Sequence, residues 1–174
     1  MGKIIHYGLV LMTIAVISAG ILGFADIKTK DTIANINIKM EKAAMKEVMQ
    51  KVKKFDKSKE KKSGNFKFIP GYNSNNSLEG YAVKVVTPGY GGDIVFMLGI
   101  DLSGNIVGLK VISSSETPGL GANINKKKWQ KHWVGKNRNY KFNKSVDAFA
   151  GATISPRAVY RGISEALAAF EKIK

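Results

Sequence analysis

Near the C-terminal end, Ala150-Gly151-Ala152-Thr153 sets one hydroxyl among small side chains, immediately ahead of a helix start. Ser155 can cap that helix and Pro156 suits its first position. Val159, Gly162, Ile163, Ala166, Leu167 and Phe170 then recur three and four residues apart, with Arg161, Glu165 and Glu171 on the other side. Small neighbours let a bulky group approach the backbone, and the free N–H groups of a helix start favour a phosphate. Arg157, in the first turn, can add a charge-assisted contact to such an anion. The stretch reads as a hydroxyl beside an anion site, although an ordinary tight turn before a helix would use the same residues.

A second stretch with chemical potential is Glu116-Thr117-Pro118-Gly119-Leu120-Gly121. Its proline and glycines make a kinked loop where a planar ring can approach the backbone. Glu116 is either a hydrogen-bonding group for that ring or a surface carboxylate. Neither this loop nor Gly89-Tyr90-Gly91-Gly92 has the glycine spacing of a dinucleotide or Walker site. Trp129, His132, Trp133 and Tyr140 lie among lysines, an interleaving that can stack on bases or flavin rings. The one-turn separation of Trp129 and Trp133 favours packing inside a short helix instead.

Composition narrows the chemistry. The chain has 174 residues and no cysteine, which removes disulfides, iron–sulfur ligation and thiolate catalysis, so any redox chemistry needs a bound cofactor. His6 and His132 stand apart, so no metal cluster is expected. A formal net charge of +15 implies an anionic partner such as a lipid surface, wall polymer or acidic protein. Nucleic acid is not expected, because no recognition signature accompanies the charge.

The elements that must position these residues can be taken in order. Ile4 to Ala25 carries no charged side chain and reaches the length that crosses a bilayer core, with Tyr7 placed for an interfacial ring. Gly23-Phe24-Ala25 would suit a signal-peptide cleavage site, but the apolar run exceeds a usual signal core, so an uncleaved anchor is expected. From Ile33 to Lys62 the chain looks helical and then very basic, with Ile36, Met40, Ala44, Val48, Val52 and Phe55 as a buried stripe. Its lysines form a solvated face, with lipid headgroups as a second use. Strands are expected at 66–69 (closed by Pro70-Gly71), 81–87, 94–100 and 106–112, the last two joined by the hairpin turn Asp101-Leu102-Ser103-Gly104-Asn105. Connections this short make an antiparallel meander, and helices before and after it give an α+β domain. The expected division is an anchor over 1–26, a basic helical connector over 27–64 and a ligand-binding domain over 65–174.

Four features in chain order, the anchor, the meander, the Glu116 to Gly121 loop and the Gly-Ala-Thr motif, together resemble one family. Asp147…Gly151-Ala152-Thr153-Ile154-Ser155 is similar to the attachment motif of FMN-binding domains in the G subunit of the Rnf complex and the C subunit of the sodium-pumping quinone reductase. The Gly89-Tyr90-Gly91-Gly92 strand entry, the Glu116 to Gly121 loop and the N-terminal anchor match as well. The resemblance implies FMN joined through its phosphate to the Thr153 hydroxyl by a flavin transferase. Gly151 and Ala152 would clear space, and Ser155 with the helix start would stabilise the phosphate charge. Glu116, Thr117, Pro118, Gly119 and Leu120 would shape the ring pocket. Ala150 departs from the family's usual Ser or Thr, and Ser114 stands where the family often has His, which puts proton handling there in doubt.

The same resemblance implies a single-pass membrane protein, its N-terminus cytoplasmic and its FMN domain outside. It would relay electrons among other subunits of an ion-translocating ferredoxin:NAD+ oxidoreductase. No substrate or hydride-transfer site is visible, so the isolated subunit is not expected to be a complete enzyme. The other readings are the flavin subunit of the related quinone reductase, a stand-alone flavinylated reductase, and a cofactor-free, membrane-tethered basic domain that binds anionic polymers.

Overall fold

The computed structural model describes residues 2–174, which fall into two compact units divided after Met40. The first unit, residues 2–40, is helical throughout and forms most of α1 (Gly2–Val48). Its apolar part has a mean hydropathy of 2.3 over 18 residues, long and apolar enough to cross a membrane. Ile36 and Met40 stay exposed, so the expected buried stripe begins only at Ala44.

The second unit, residues 41–174, starts with the last turns of α1. After Val48 the chain makes one more turn through Val52 N–H to the Met49 carbonyl (3.0 Å), and Lys53 N–H then donates to Tyr72 at 2.8 Å. That contact begins a sheet edge where the sequence suggested continued helix and loop. Short strands β1 (Lys54–Phe55) and β2 (Lys61–Ser63) both pair with the outer side of β3 (Phe66–Tyr72). Phe55 therefore sits on a strand, outside any helical stripe. Pro70 and Gly71 lie within β3 rather than ending it, since the Pro70 carbonyl accepts from Asp56 N–H at 3.1 Å on this edge.

The remaining strands follow the expected meander: β4 (Leu78–Pro88), β5 (Asp93–Asp101) and β6 (Ile106–Ser113). All pairings are antiparallel, in the order β1-β3-β4-β5-β6, with β2 beside β3. Asp101 Oδ1 closes the β5–β6 hairpin by accepting from Ser103 N–H (2.9 Å) and Asn105 N–H (2.8 Å). Three helices complete the α+β architecture: α2 (Lys127–Lys131), α3 (Lys144–Asp147) and α4 (Ile154–Phe170).

Strand alternation sends side chains to two faces. On one face Val83, Val85, Phe96, Leu98 and Ile100 bury against Val159, Ile163, Leu167 and Phe170 of α4. Each such large side chain contributes about 1.5–3 kcal/mol on burial. Gly162 permits the close approach, because a Cβ there would lie 2.9 Å from Val85 Cγ1 and 3.1 Å from Phe96 Cζ. On the other face Ala82 and Met97 meet Ala44, Met45, Val48, Met49 and Val52. Gly99 and Gly108 are cross-strand partners beneath the end of α1, and a Cβ on Gly108 would come within 2.6 Å of Val48 Cα.

Candidate functional site

The Thr153 turn is built by short-range hydrogen bonds. Ala152 N–H donates to the Phe149 carbonyl at 3.0 Å, and Gly151 takes the left-handed conformation at φ +74°. A Cβ at Gly151 would have only Leu120 Cδ2 near it, at 3.6 Å, so the space above the turn is open. Thr153 itself is the residue before α4, at φ −88° and ψ −26°, and its carbonyl accepts the first helical bond from Arg157 N–H at 3.1 Å. Its side chain makes no capping hydrogen bond and is half-buried. The hydroxyl borders an open cleft of about 560 Å3 lined by Lys144, Ser145, Ala148, Phe149, Ala150 and Gly151. A hydroxyl, a glycine that leaves room and a lysine lining the same cleft are residue types that suit an FMN phosphate. These residues fit the group.

The helix start differs from the sequence reading in one respect. Ser155 is not the cap; it is buried in the first turn and donates to Glu116 Oε2 at 2.6 Å, and Pro156 stands third in the helix. Proline is tolerated there because the first-turn N–H groups have no helical partner.

Glu116 is buried rather than a surface carboxylate. Its second oxygen accepts from Tyr90 N–H (2.8 Å) and Gly91 N–H (3.2 Å). One carboxylate thus ties together the 89–92 loop, its own loop and the start of α4. Glycines make this contact feasible, since a Cβ at Gly89 would strike Glu116 Oε1 and one at Gly121 would strike Ser155 Oγ. Within the 116–121 loop, Leu120 N–H and Ala122 N–H both donate to the Thr117 carbonyl at 3.1 Å, while Thr117, Pro118 and Gly119 stay exposed. Arg161 braces the assembly from α4 by donating to the Pro88 carbonyl at 2.9 Å. Arg157 instead lies over the Phe142 ring, at 5.5 Å from its centroid. Ser114 pairs with Asn125, whose Nδ2 lies at 3.3 Å.

Behind the turn, Asp147 is completely buried and heavily bonded. Its carboxylate accepts from Tyr140 hydroxyl (2.7 Å), Asn143 N–H (2.6 Å) and His132 Nε2 (2.6 Å), with Lys136 Nζ at 3.6 Å. Burial alone would raise its pKa, but the Asn143 amide, His132, Tyr140 and Lys136 together hold it below the usual carboxylate value. Burial lowers the Lys136 pKa against the pull of Asp147. Tyr140 is pushed up to about 12, by burial first and then by Asp147, so it remains a donor. Trp129 Nε1 donates to the Asp147 carbonyl at 2.8 Å, and its ring lies 5.6 Å from that of Phe149. Trp129 and Trp133 are buried, as the packing interpretation expected.

Gly151, Ala152, Thr153, Ser155, Glu116 and Leu120 therefore converge, and Thr117 to Gly119 form the exposed tip beside them. Lys144, Ser145 and Phe149 were not singled out from sequence. Their only sequence signal is position, a few residues ahead of the Gly-Ala-Thr turn.

Residues 89–168 match the family described as FMN-binding domain. The chain is 28% identical to the G subunit of the Na(+)-translocating ferredoxin:NAD(+) oxidoreductase complex of Acetobacterium woodii, over 95% of this chain and 91% of that protein. It is 38% identical to the G subunit of the ion-translocating oxidoreductase complex of Vibrio vulnificus, over 58% of this chain but only 54% of that protein. The fold resembles the crystal structure of the C subunit of Na(+)-translocating NADH-quinone reductase from Parabacteroides distasonis, with a TM-score of 0.53 and 22% identity over 62% of this chain and 61% of that one. Residues 89–168, the part of the chain that matches the FMN-binding domain family, contain both glycine loops, Glu116 and Thr153.

Proposed function

We propose that this chain is the flavin-carrying subunit of a membrane-bound, ion-translocating ferredoxin:NAD+ oxidoreductase of the Rnf type, with FMN joined through its phosphate to Thr153. The observation that carries the proposal is Thr153, whose side chain makes no capping hydrogen bond and which lines an open cleft together with Lys144. Bound FMN supplies chemistry that links one- and two-electron partners. The chain's residues hold and orient it: Thr153 gives the attachment oxygen, Gly151 and Ala152 leave room, and Lys144 offsets phosphate charge. Glu116 and Ser155 act from beneath by fixing the loops. A covalent tether suits a relay facing bulk solvent, where a dissociable flavin would be lost by dilution.

Residues 1–26 anchor the chain in the cell membrane, with a cytoplasmic N-terminus, a basic stretch over 27–64 and an extracytoplasmic flavin domain that holds residues 65–174 and the part of the basic stretch packed on its sheet. The apolar helix and the similarity to a subunit of ion-translocating complexes support this arrangement. The other subunits of the complex supply electron donor and acceptor, and a flavin transferase matures the chain. The relay is one part of the complex's catalysis rather than a complete enzyme.

Intact-mass analysis tests the proposal. The chain coexpressed with a flavin transferase and then denatured should gain the mass of one FMN less one water, mapped to the peptide holding Thr153. Thr153→Ala should abolish the gain; an unmodified wild-type chain, or flavin retained covalently by the variant, refutes it.

A further inference from the structure

The three segments drawn to Glu116 each display one large apolar side chain. Tyr90 is 71% exposed, Leu120 44% and Ile154 55%. Tyr90 is the one aromatic among the exposed large hydrophobics of residues 41–174. Its exposure does not come from a loose loop. The Tyr90 and Gly91 amides are held by Glu116, and a Cβ on Gly91 would run into the Ser115 carbonyl. The backbone is fixed while the ring is turned outward, where water gives it no packing. Leu120 rests beside Gly151, and Ile154 directly follows Thr153.

We infer that Tyr90 is the ring-contacting residue of the flavin site: it lies against the isoalloxazine of an FMN held at Thr153, with Leu120 and Ile154 completing the apolar surface beneath. This inference rests on the function proposed above. Two hydrogen bonds to one carboxylate, of 2.8 Å and 2.6 Å, separate the Tyr90 amide from the Ser155 hydroxyl. Planar aromatic systems gain from stacking on a phenol beyond the area they bury. The alternative placement is within the cleft against Phe149, on the other side of the turn.

Flavin emission distinguishes the two. A phenol in contact with an excited flavin quenches it: one electron passes from the phenol to the ring and returns, so neither is changed overall. The full-length chain, loaded by a flavin transferase and checked by intact mass, should show weak emission with a short lifetime. Compared per molecule of attached FMN, Tyr90→Leu should raise emission severalfold, whereas Tyr90→Trp should restore quenching. Unchanged emission in Tyr90→Leu at full FMN occupancy overturns the inference, as does a rise on Phe149→Leu instead. Absence of FMN from the wild-type chain would defeat the proposed function itself, and the mass measurement separates that failure from the others.

Discussion

Two buried carboxylates carry the local design. Glu116 receives two backbone amides and a serine hydroxyl, and the 2.6 Å bond to Ser155 is the short kind expected when the acceptor is charged. Glu116→Gln replaces one acceptor oxygen with an NH2 group that must face donors. Urea unfolding should show a loss of about 1–3 kcal/mol, and the extent of FMN attachment should fall in parallel. Asp147 acts behind the Thr153 turn. Its pKa is lowered in the folded chain, so the stability it supplies is fully present above the unfolded carboxylate value near about 4 and disappears as pH falls through the folded value. Asp147→Asn should therefore destabilise at pH 7 by about 3 kcal/mol or more. The gap from wild type should close on acidification, as measured by denaturant melts across pH. At this scale the structure changes one reading and narrows another. Ser155 has the composition of a cap but is not one, and burial removes the surface-carboxylate alternative for Glu116. Only their meeting across 39 positions, inside the fold, turns both inward.

Among the elements, α4 and strands β4 to β6 were legible because their periodicities are strong and their turns carry glycine, proline and asparagine. Strands β1 and β2 were not. They are two and three residues long and mostly lysine, so no alternation marks them, and they exist because the β3 edge offers partners. Lysine on such an edge also discourages pairing with another chain. The end of α1 was only partly legible. Its seat depends on the paired Gly99 and Gly108, whose spacing says nothing until the register is known. Gly108→Ala should force Val48 away from the sheet and cost about 1–3 kcal/mol. Hydrogen exchange over residues 44–52 should report the displacement, while exchange at the Thr153 turn stays unchanged.

For the molecule as a whole, the division after Met40 sets what can be removed. A chain of residues 41–174 keeps Ala44, Met45, Val48, Met49 and Val52 on the sheet, and should fold and accept FMN without detergent. Starting at residue 65 instead would strip that cover from Ala82 and Met97 and remove β1 and β2 from the edge. Such a fragment should aggregate, which size-exclusion chromatography would reveal. The excess of positive charge is spread over exposed lysines in residues 51–67 and 126–144, and single surface pairs such as Lys110–Glu47 add little to stability.

The Glu116 tie has a kinetic side as well. Strands β3 to β6 join consecutive neighbours, so most of the sheet forms from contacts close in sequence. Closure of the site waits for partners far along the chain: Glu116 with Ser155, and Pro88 with Arg161 across 73 positions. Loop closure over such distances comes after local pairing, and the last-formed unit is commonly the first to open. The proposed flavin site is accordingly a latch on a sheet that can stand without it. Amide protons of Tyr90 and Gly91 should exchange faster than those of β5, and seating a flavin should slow them while leaving the sheet's own rates unaltered.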